Sequence, residues 1–287
     1  MQIDFELNAT CNLKCPMCPL SVESNADKKG IEFPFDVFCK VIDEGLDMGL
    51  KSIRMNYLNE PLLRKDLERF IEHAKKMGIL DIYFSTNGML LDEKRAESII
   101  ESGVDRIQIS LDAYTEDTYN KMRPGGDYKK VVHNIMHLIE IKNKRNCIAP
   151  LIRVNFVRTE LNEHELNAFI DFWENKADMI GVQEMVKPPR STSNLKSKTT
   201  TKMESFKCSF PNKNLVITAE GNVLPCCTFY GDEMPIGNLF EELNKNKNFK
   251  ISEFWNSPKM QNLRNLHCDG MYKMHPICKK CVEDSQY

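Results

Sequence analysis

The sequence predicts an α/β chain in which six βα units form a partial (β/α)6, TIM-like barrel, followed by a small C-terminal cysteine-rich module. Three observations carry this reading. Short β-branched runs alternate with longer amphipathic stretches from the first residue to about position 186, the pattern of a parallel sheet. Polar and ligand-type residues collect just past the ends of those runs, where such barrels place their sites. After Pro188 the composition turns to Ser, Thr and Lys, and then to a tail rich in cysteine.

Taken in order, strands are expected near 2–7, 52–57, 81–86, 106–111, 151–157 and 180–186. The clearest helices run from about 34 to 48, 63 to 77, 92 to 102, 128 to 144 and 162 to 175, several opening on an acid that suits a helix amino terminus. Pro188-Pro189-Arg190 opens a stretch to about 202 with the makeup of a linker, which divides the chain into 1–205 and 206–287. In the second part Leu215-Val-Ile-Thr and Asn222-Val-Leu-Pro flank Ala219-Glu220-Gly221 as a hairpin, and a helix from Ser252 to Leu266 is interrupted at Pro258. This tail is too small for a strong core of its own, so its cysteines are expected to supply what burial does not.

The chain has 287 residues, 41% of them hydrophobic, and a net charge of −2, which leaves no electrostatic footprint for nucleic acid or an anionic membrane. No window approaches the roughly 18 apolar residues of a membrane span, and Met1-Gln-Ile-Asp-Phe-Glu has no signal-peptide character. The expected location is cytoplasmic. Eleven cysteines, an odd number without an export signal, argue for metal binding over disulfides.

Cys11, Cys15 and Cys18 form Cys-x3-Cys-x2-Cys in the loop after the first strand. Three thiolates leave a tetrahedral site incomplete: a structural zinc needs a fourth ligand from elsewhere, whereas a 4Fe-4S cluster held by three cysteines keeps one iron open. Asn59-Glu60-Pro61 follows strand two, Ser85-Thr86-Asn87-Gly88 ends strand three, and Ser110-Leu111-Asp112 ends strand four.

With this triad the first two hundred residues resemble the radical SAM superfamily. The resemblance implies a 4Fe-4S cluster on Cys11, Cys15 and Cys18, S-adenosylmethionine (SAM) chelated at the open iron, and reductive cleavage to a 5'-deoxyadenosyl radical that abstracts hydrogen from substrate. It implies that Asn59 and Glu60 stand where the family meets the methionyl ammonium, that Ser85 and Asn87 lie near the ribose and methionyl end, that Ser110 contacts SAM, and that Arg123 pairs with its carboxylate. Met17 stands where the family usually has an aromatic residue against adenine. Without the triad, Ser85 and Asn87 read as a strand-end turn, Arg123 as a surface ion pair and Glu60 as a helix amino-terminal acid.

Cys208, twelve residues, Gly221, four residues and Cys226, then Cys278-Lys-Lys-Cys281, resemble a shortened SPASM or "twitch" module. The resemblance implies one auxiliary 4Fe-4S cluster on Cys208, Cys226, Cys278 and Cys281; four cysteines on two segments also suit a zinc ribbon. The Gly-x4-Cys spacing selects Cys226 over Cys227. Cys39 and Cys147 read as small buried hydrophobes on helical stretches, and His267 and His275 as structural. Cys268 lies outside the quartet and is a candidate hydrogen-atom donor. Arg153 and Asn155 share one face of strand five as candidate polar substrate contacts.

The short amino terminus and the chain end six residues after Cys281 lead to the expectation of a small polar substrate and a single auxiliary cluster. The resemblance then implies a radical oxidoreductase, with dehydrogenation of a sugar- or aminocyclitol-like hydroxyl carbon as the first reading. A radical epimerase using Cys268 or Cys227, a peptide-modifying maturase and a zinc-binding interaction module are the alternatives. The expected partners are a small-molecule substrate and an external one-electron reductant such as flavodoxin or ferredoxin.

Overall fold

A computed structural model describes residues 1–21, 28–187, 195 and 206–285. Six parallel strands, β1 (Gln2–Phe5), β2 (Ser52–Arg54), β3 (Asp81–Thr86), β4 (Arg106–Ser110), β5 (Leu151–Arg158) and β6 (Met179–Glu184), lie side by side in chain order. Helices α1 (Phe35–Asp47), α2 (Leu67–Lys76), α3 (Glu93–Glu101), α4 (Glu116–Met122), α5 (Tyr128–Lys144) and α6 (Leu166–Trp173) fill the crossovers. The expected strands and helices are all present. β2 is shorter than expected because the chain leaves the sheet after Arg54 to build the loop bearing Glu60. α4, absent from the sequence expectation, is a short helix whose amino terminus is capped by Thr115.

Strand alternation sorts the residues by face. Ile3, Phe5, Ile53, Ile82, Phe84, Ile107, Ile109, Ile152, Val154 and Phe156 are buried in one core with Phe38, Phe70, Ile99, Ile135, Phe169 and Trp173 of the helices. The opposite face carries Gln2, Asp4, Arg54, Tyr83, Ser85, Arg106, Gln108, Ser110, Arg153 and Asn155. Barrels of this class usually fill their interior with branched apolar side chains. Here the corresponding face, the chamber wall, is polar.

The second module does not stand apart. β7 (Asn214–Ile217) follows α7 (Phe210–Lys213) and pairs parallel with β1, Gln2 opposite Asn214 and Phe5 opposite Ile217. β8 (Asn222–Leu224) and β9 (Gly237–Asn238) continue antiparallel, giving the nine-stranded order β6-β5-β4-β3-β2-β1-β7-β8-β9. The expected hairpin is thus present, but it extends the barrel sheet: Leu215, Ile217, Val223, Leu239 and Ile251 belong to the same core as the barrel helices. Backbone pairing and shared burial support the tail. Its helices are α8 (Leu239–Lys245), α9 (Ile251–Trp255), α10 (Pro258–Cys268) and α11 (Pro276–Ser285). Pro258 breaks the expected helix by standing at the first turn of α10, with Ser257 accepting the Met260 N–H as its cap. Apart from Leu195, the expected linker over 188–202 lies outside the described residues.

Candidate active site

Cys11, Cys15 and Cys18 sit on the loop leaving β1, and three strand ends hold that loop. Asn8 Nδ2 donates to the Thr10 and Glu60 carbonyls, Asn59 Nδ2 donates to Asn8 Oδ1 at 2.7 Å, and the Glu60 N–H reaches the Thr10 carbonyl at 2.9 Å. Asn87 Nδ2 donates to Asn12 Oδ1 at 2.7 Å and stands 3.9 Å from Cys11 Sγ. The Leu13 N–H points at Cys11 Sγ at 3.4 Å, and Arg123 Nη1 lies 3.7 Å from Cys15 Sγ. Burial, helped by the charges of Glu60 and Cys15, pushes Cys11 up to about 11, and burial with the charges of Cys15 and Cys11 pushes Cys18 up to about 12. The free thiols are therefore neutral near pH 7, and cluster assembly must displace their protons.

Of the expected SAM contacts, Asn59, Glu60, Asn87 and Arg123 are tied to this loop, whereas Ser85 and Ser110 contact their neighbours on the polar face of the sheet. Glu60, 2% exposed, accepts from the Leu62 N–H at 3.1 Å, the Thr86 hydroxyl at 2.7 Å and the Asn87 N–H at 2.8 Å. Burial raises its pKa while these donors oppose the rise. Asn59 spends its side chain bracing the loop, its Oδ1 accepting the Tyr57 N–H at 3.0 Å. Ser85 donates from its hydroxyl to Gln108 at 3.4 Å, and Ser110 sits opposite Asn155 in the β4–β5 register. Arg123, just past α4, is a buried group rather than a surface one: its Nη2 pairs with Asp112 Oδ2 at 2.5 Å, and its Nε has no partner among the described residues. Burial alone would lower its pKa, but Asp112 and Cys15 drive it upward, so the guanidinium stays charged.

Asp112 was legible as a strand-end residue in the sequence, but not as the Arg123 partner. It adopts φ +62°, a conformation that short polar residues tolerate, and its Oδ1 accepts the Val157 N–H at 2.7 Å. Asn8, Asn12 and Thr86 were missed. Thr86 lies inside the strand-end segment Ser85-Thr86-Asn87-Gly88, Asn12 inside the Cys11–Cys15 spacing and Asn8 three residues before Cys11, and that placement is the signal the sequence offers. Met17 is buried with Leu13, Cys15, Met122 and Met185, a flexible thioether packed beside the triad.

In the second module Cys208, Cys226, Cys278 and Cys281 line one cavity, together with Phe206, Thr228, Met234, Leu263 and His267. Burial pushes Cys278 up to about 12 and Cys226 higher still. His267 Nδ1 accepts the Cys208 N–H and His275 Nδ1 the Cys278 N–H, each at 3.3 Å, so both histidines brace cysteine backbones. Cys227 faces the other way. It packs with Tyr57, Val216 and Leu224, and after burial the charge of Asp4 on the chamber wall is what most raises its pKa, to about 12.

Cys268 is not brought to the site: it is the exposed last residue of α10, one step around the helix from the buried His267. Cys39 and Cys147 are half-buried rather than buried, and Cys147 lies three residues beyond α5, not on a helix.

Among the described residues no three His, Cys, Asp or Glu side chains converge on a single-ion position. The donor chemistry fits iron–sulfur clusters: a three-thiol loop supplied with N–H donors towards sulfur, and four thiols around one cavity. No helix among the described residues is long and apolar enough to cross a membrane.

Comparison with known proteins agrees with both halves. Residues 5–171 match the Radical SAM superfamily, and residues 208–282 match an iron-sulfur cluster-binding domain, SPASM. The chain is 33% identical over 184 residues to a probable GTP 3',8-cyclase of Methanococcus maripaludis, covering 63% of this chain and 58% of that protein. A similar protein of Methanocaldococcus jannaschii is 30% identical over 177 residues, covering 61% of this chain and 56% of that protein. The chain therefore spans under two thirds of the length of these relatives. Among solved structures, BtrN in complex with AdoMet and 2-DOIA has a TM-score of 0.61 at 19% identity, covering 100% of this chain and 96% of that one. The anSMEcpe structure with bound AdoMet has a TM-score of 0.68 at 17% identity, covering 99% and 84%. These likenesses show a shared fold across both modules. With the superfamily match spanning the barrel and the cysteine triad at the end of its first strand, the chain belongs to the radical SAM superfamily.

Proposed function

We propose that this radical SAM enzyme oxidises a hydroxyl-bearing carbon of a small polar, sugar- or aminocyclitol-like substrate held against the polar wall of the barrel, with the auxiliary 4Fe-4S cluster as electron acceptor. The supporting observation is that the wall reaches the second cysteine set. Cys226 lines the auxiliary cavity, while the next residue, Cys227, lies in the field of Asp4 and Arg54 on the wall. When bound, SAM and its cluster supply hydrogen-atom abstraction, and the auxiliary cluster supplies a one-electron sink.

The chain's own part is to bind and orient. Glu60, tied to the start of the triad loop at Thr10, and Arg123, beside its middle cysteine, are an acid and a base suited to an ammonium and a carboxylate. Ser85, Gln108 and Ser110 present hydroxyl and amide groups from adjacent strands, suited to a substrate with several hydroxyls. Converting a carbinol to a ketone removes one hydrogen atom from carbon, one proton from oxygen and one further electron, the last passing to the acceptor.

A second reading, a GTP-type substrate, is favoured by the 33% identity to the probable GTP 3',8-cyclase. The test is anaerobic turnover in deuterated water with SAM, a reductant and either a polyol and aminocyclitol panel or GTP. A two-electron oxidised product formed with 5'-deoxyadenosine supports the dehydrogenase. Solvent deuterium at an inverted carbon would replace it with an epimerase, for which Cys227 is the better placed thiol. A cyclised GTP product would replace it with the second reading.

A further inference from the structure

We propose that Arg153 and Asn155 form a recognition subsite for an anionic group on the substrate, a carboxylate or phosphate carrying a neighbouring hydroxyl or amine. The inference rests on the chamber wall being the substrate site.

Both residues lie on the chamber face of β5. Arg153 pairs in register with Gln108 of β4 and Met179 of β6, and Asn155 with Ser110 and Gly181. The other arginines around the chamber have acids: Arg54 stands 3.7 Å from Asp4, Arg106 2.6 Å from Asp81 and Arg123 2.5 Å from Asp112. Arg153 forms no ion pair among the described residues, and its buried Nε has no hydrogen-bond partner. Beside it the buried Oδ1 of Asn155, a residue only 5% exposed, is also without a partner. The backbone carbonyl of Asn155 accepts the Leu111 and Asp112 N–H groups at 3.2 Å each, which leaves Oδ1 unsatisfied.

An unmatched guanidinium donor and an unmatched amide oxygen side by side above Gly181 are unfavourable until a ligand supplies the complement. The guanidinium fork matches the paired oxygens of a carboxylate or phosphate, and Oδ1 requires an adjacent O–H or N–H. Gly181 leaves the room for this arrangement. A Cβ at that position would fall 2.2 Å from Arg153 Nε and 2.3 Å from Asn155 Oδ1, so a side chain there would displace both.

The test is anaerobic calorimetric binding to the reconstituted full chain with SAM present, using glucose 6-phosphate, glucuronate, neutral glucose and GTP as probes. The expected result is that at least one anion binds about tenfold or more tightly than glucose, that Arg153→Met weakens it about 30-fold or more, and that Arg153→Lys recovers part of the loss. Melting temperature and cluster absorbance establish that each variant is folded. Phosphate and carboxylate are separated by which sugar acid binds. Glucose binding as tightly as every anion, absence of binding by any anion, or an anion preference that survives Arg153→Met overturns the subsite. Binding of glucose alone would leave the polyol reading standing while removing the subsite. An Arg153-dependent preference for GTP over both sugar acids would do the reverse.

Discussion

Arg123 places its Nη1 3.7 Å from the sulfur of Cys15 while its Nη2 is held by Asp112 at 2.5 Å. One guanidinium thus connects the end of β4 to the middle of the triad loop. The pair is buried, and Asp112 is fully so, which makes the single and double substitutions unequal.

Arg123→Met leaves an uncompensated carboxylate in the interior and is expected to cost about 3–5 kcal/mol. Adding Asp112→Asn, which keeps a residue tolerant of φ +62° and removes the stranded charge, should recover part of that loss. Urea unfolding midpoints of the two variants check it; equal destabilisation would mean that the ion pair is not the stabilising feature.

Glu6 gives the chain a pH signature. Burial, opposed by the Ala219 and Leu58 N–H groups it accepts, raises its pKa from 4.5 to about 7. The folded state holds this proton where the unfolded chain has lost it, so the stability contribution is full below about 4.5 and disappears as the pH rises through about 7. Melting at pH 5 and pH 8 should show wild type losing roughly 2.5 kcal/mol more than Glu6→Gln across that interval, from 1.36 kcal/mol per unit.

Iron content separates the adjacent cysteines. Cys226→Ala should reduce iron from about eight to about four per chain, whereas Cys227→Ala should retain about eight, because only Cys226 lines the auxiliary cavity. Cys11→Ala should abolish 5'-deoxyadenosine formation, and normal yield from that variant would remove the assigned role of the triad.

Gly221→Ala tests the hairpin that joins the second module to the sheet. Gly221 has φ +85°, and an added Cβ would lie 2.6 Å from the Phe240 ring. A loss of about 1–3 kcal/mol is expected in thermal unfolding. Combining it with Phe240→Leu should relieve the steric share but not the backbone share.

The legible parts of this chain are those encoded within a few residues. Hydrophobic alternation identified the six barrel strands and five of the six barrel helices, and the close spacing of Cys11, Cys15 and Cys18 identified a shared site. Glu60 could be placed at a strand end, but its bonds to Thr86 and Asn87 span 26 and 27 residues and leave no local trace. α4 was missed because its seven residues are too few for a clear period.

Sequence by itself thus determined the αβ alternation and both cysteine sets, since backbone periodicity and ligand spacing are short-range properties. Tertiary structure decided which side chains meet. It joined β7 to β1 across more than two hundred residues, sent Cys226 and Cys227 to opposite sides of one strand exit, turned Cys268 out to solvent, and left Arg153 without the carboxylate that its neighbours have. These outcomes depend on strand order and on which face each residue presents, and both are fixed only when the whole sheet has packed.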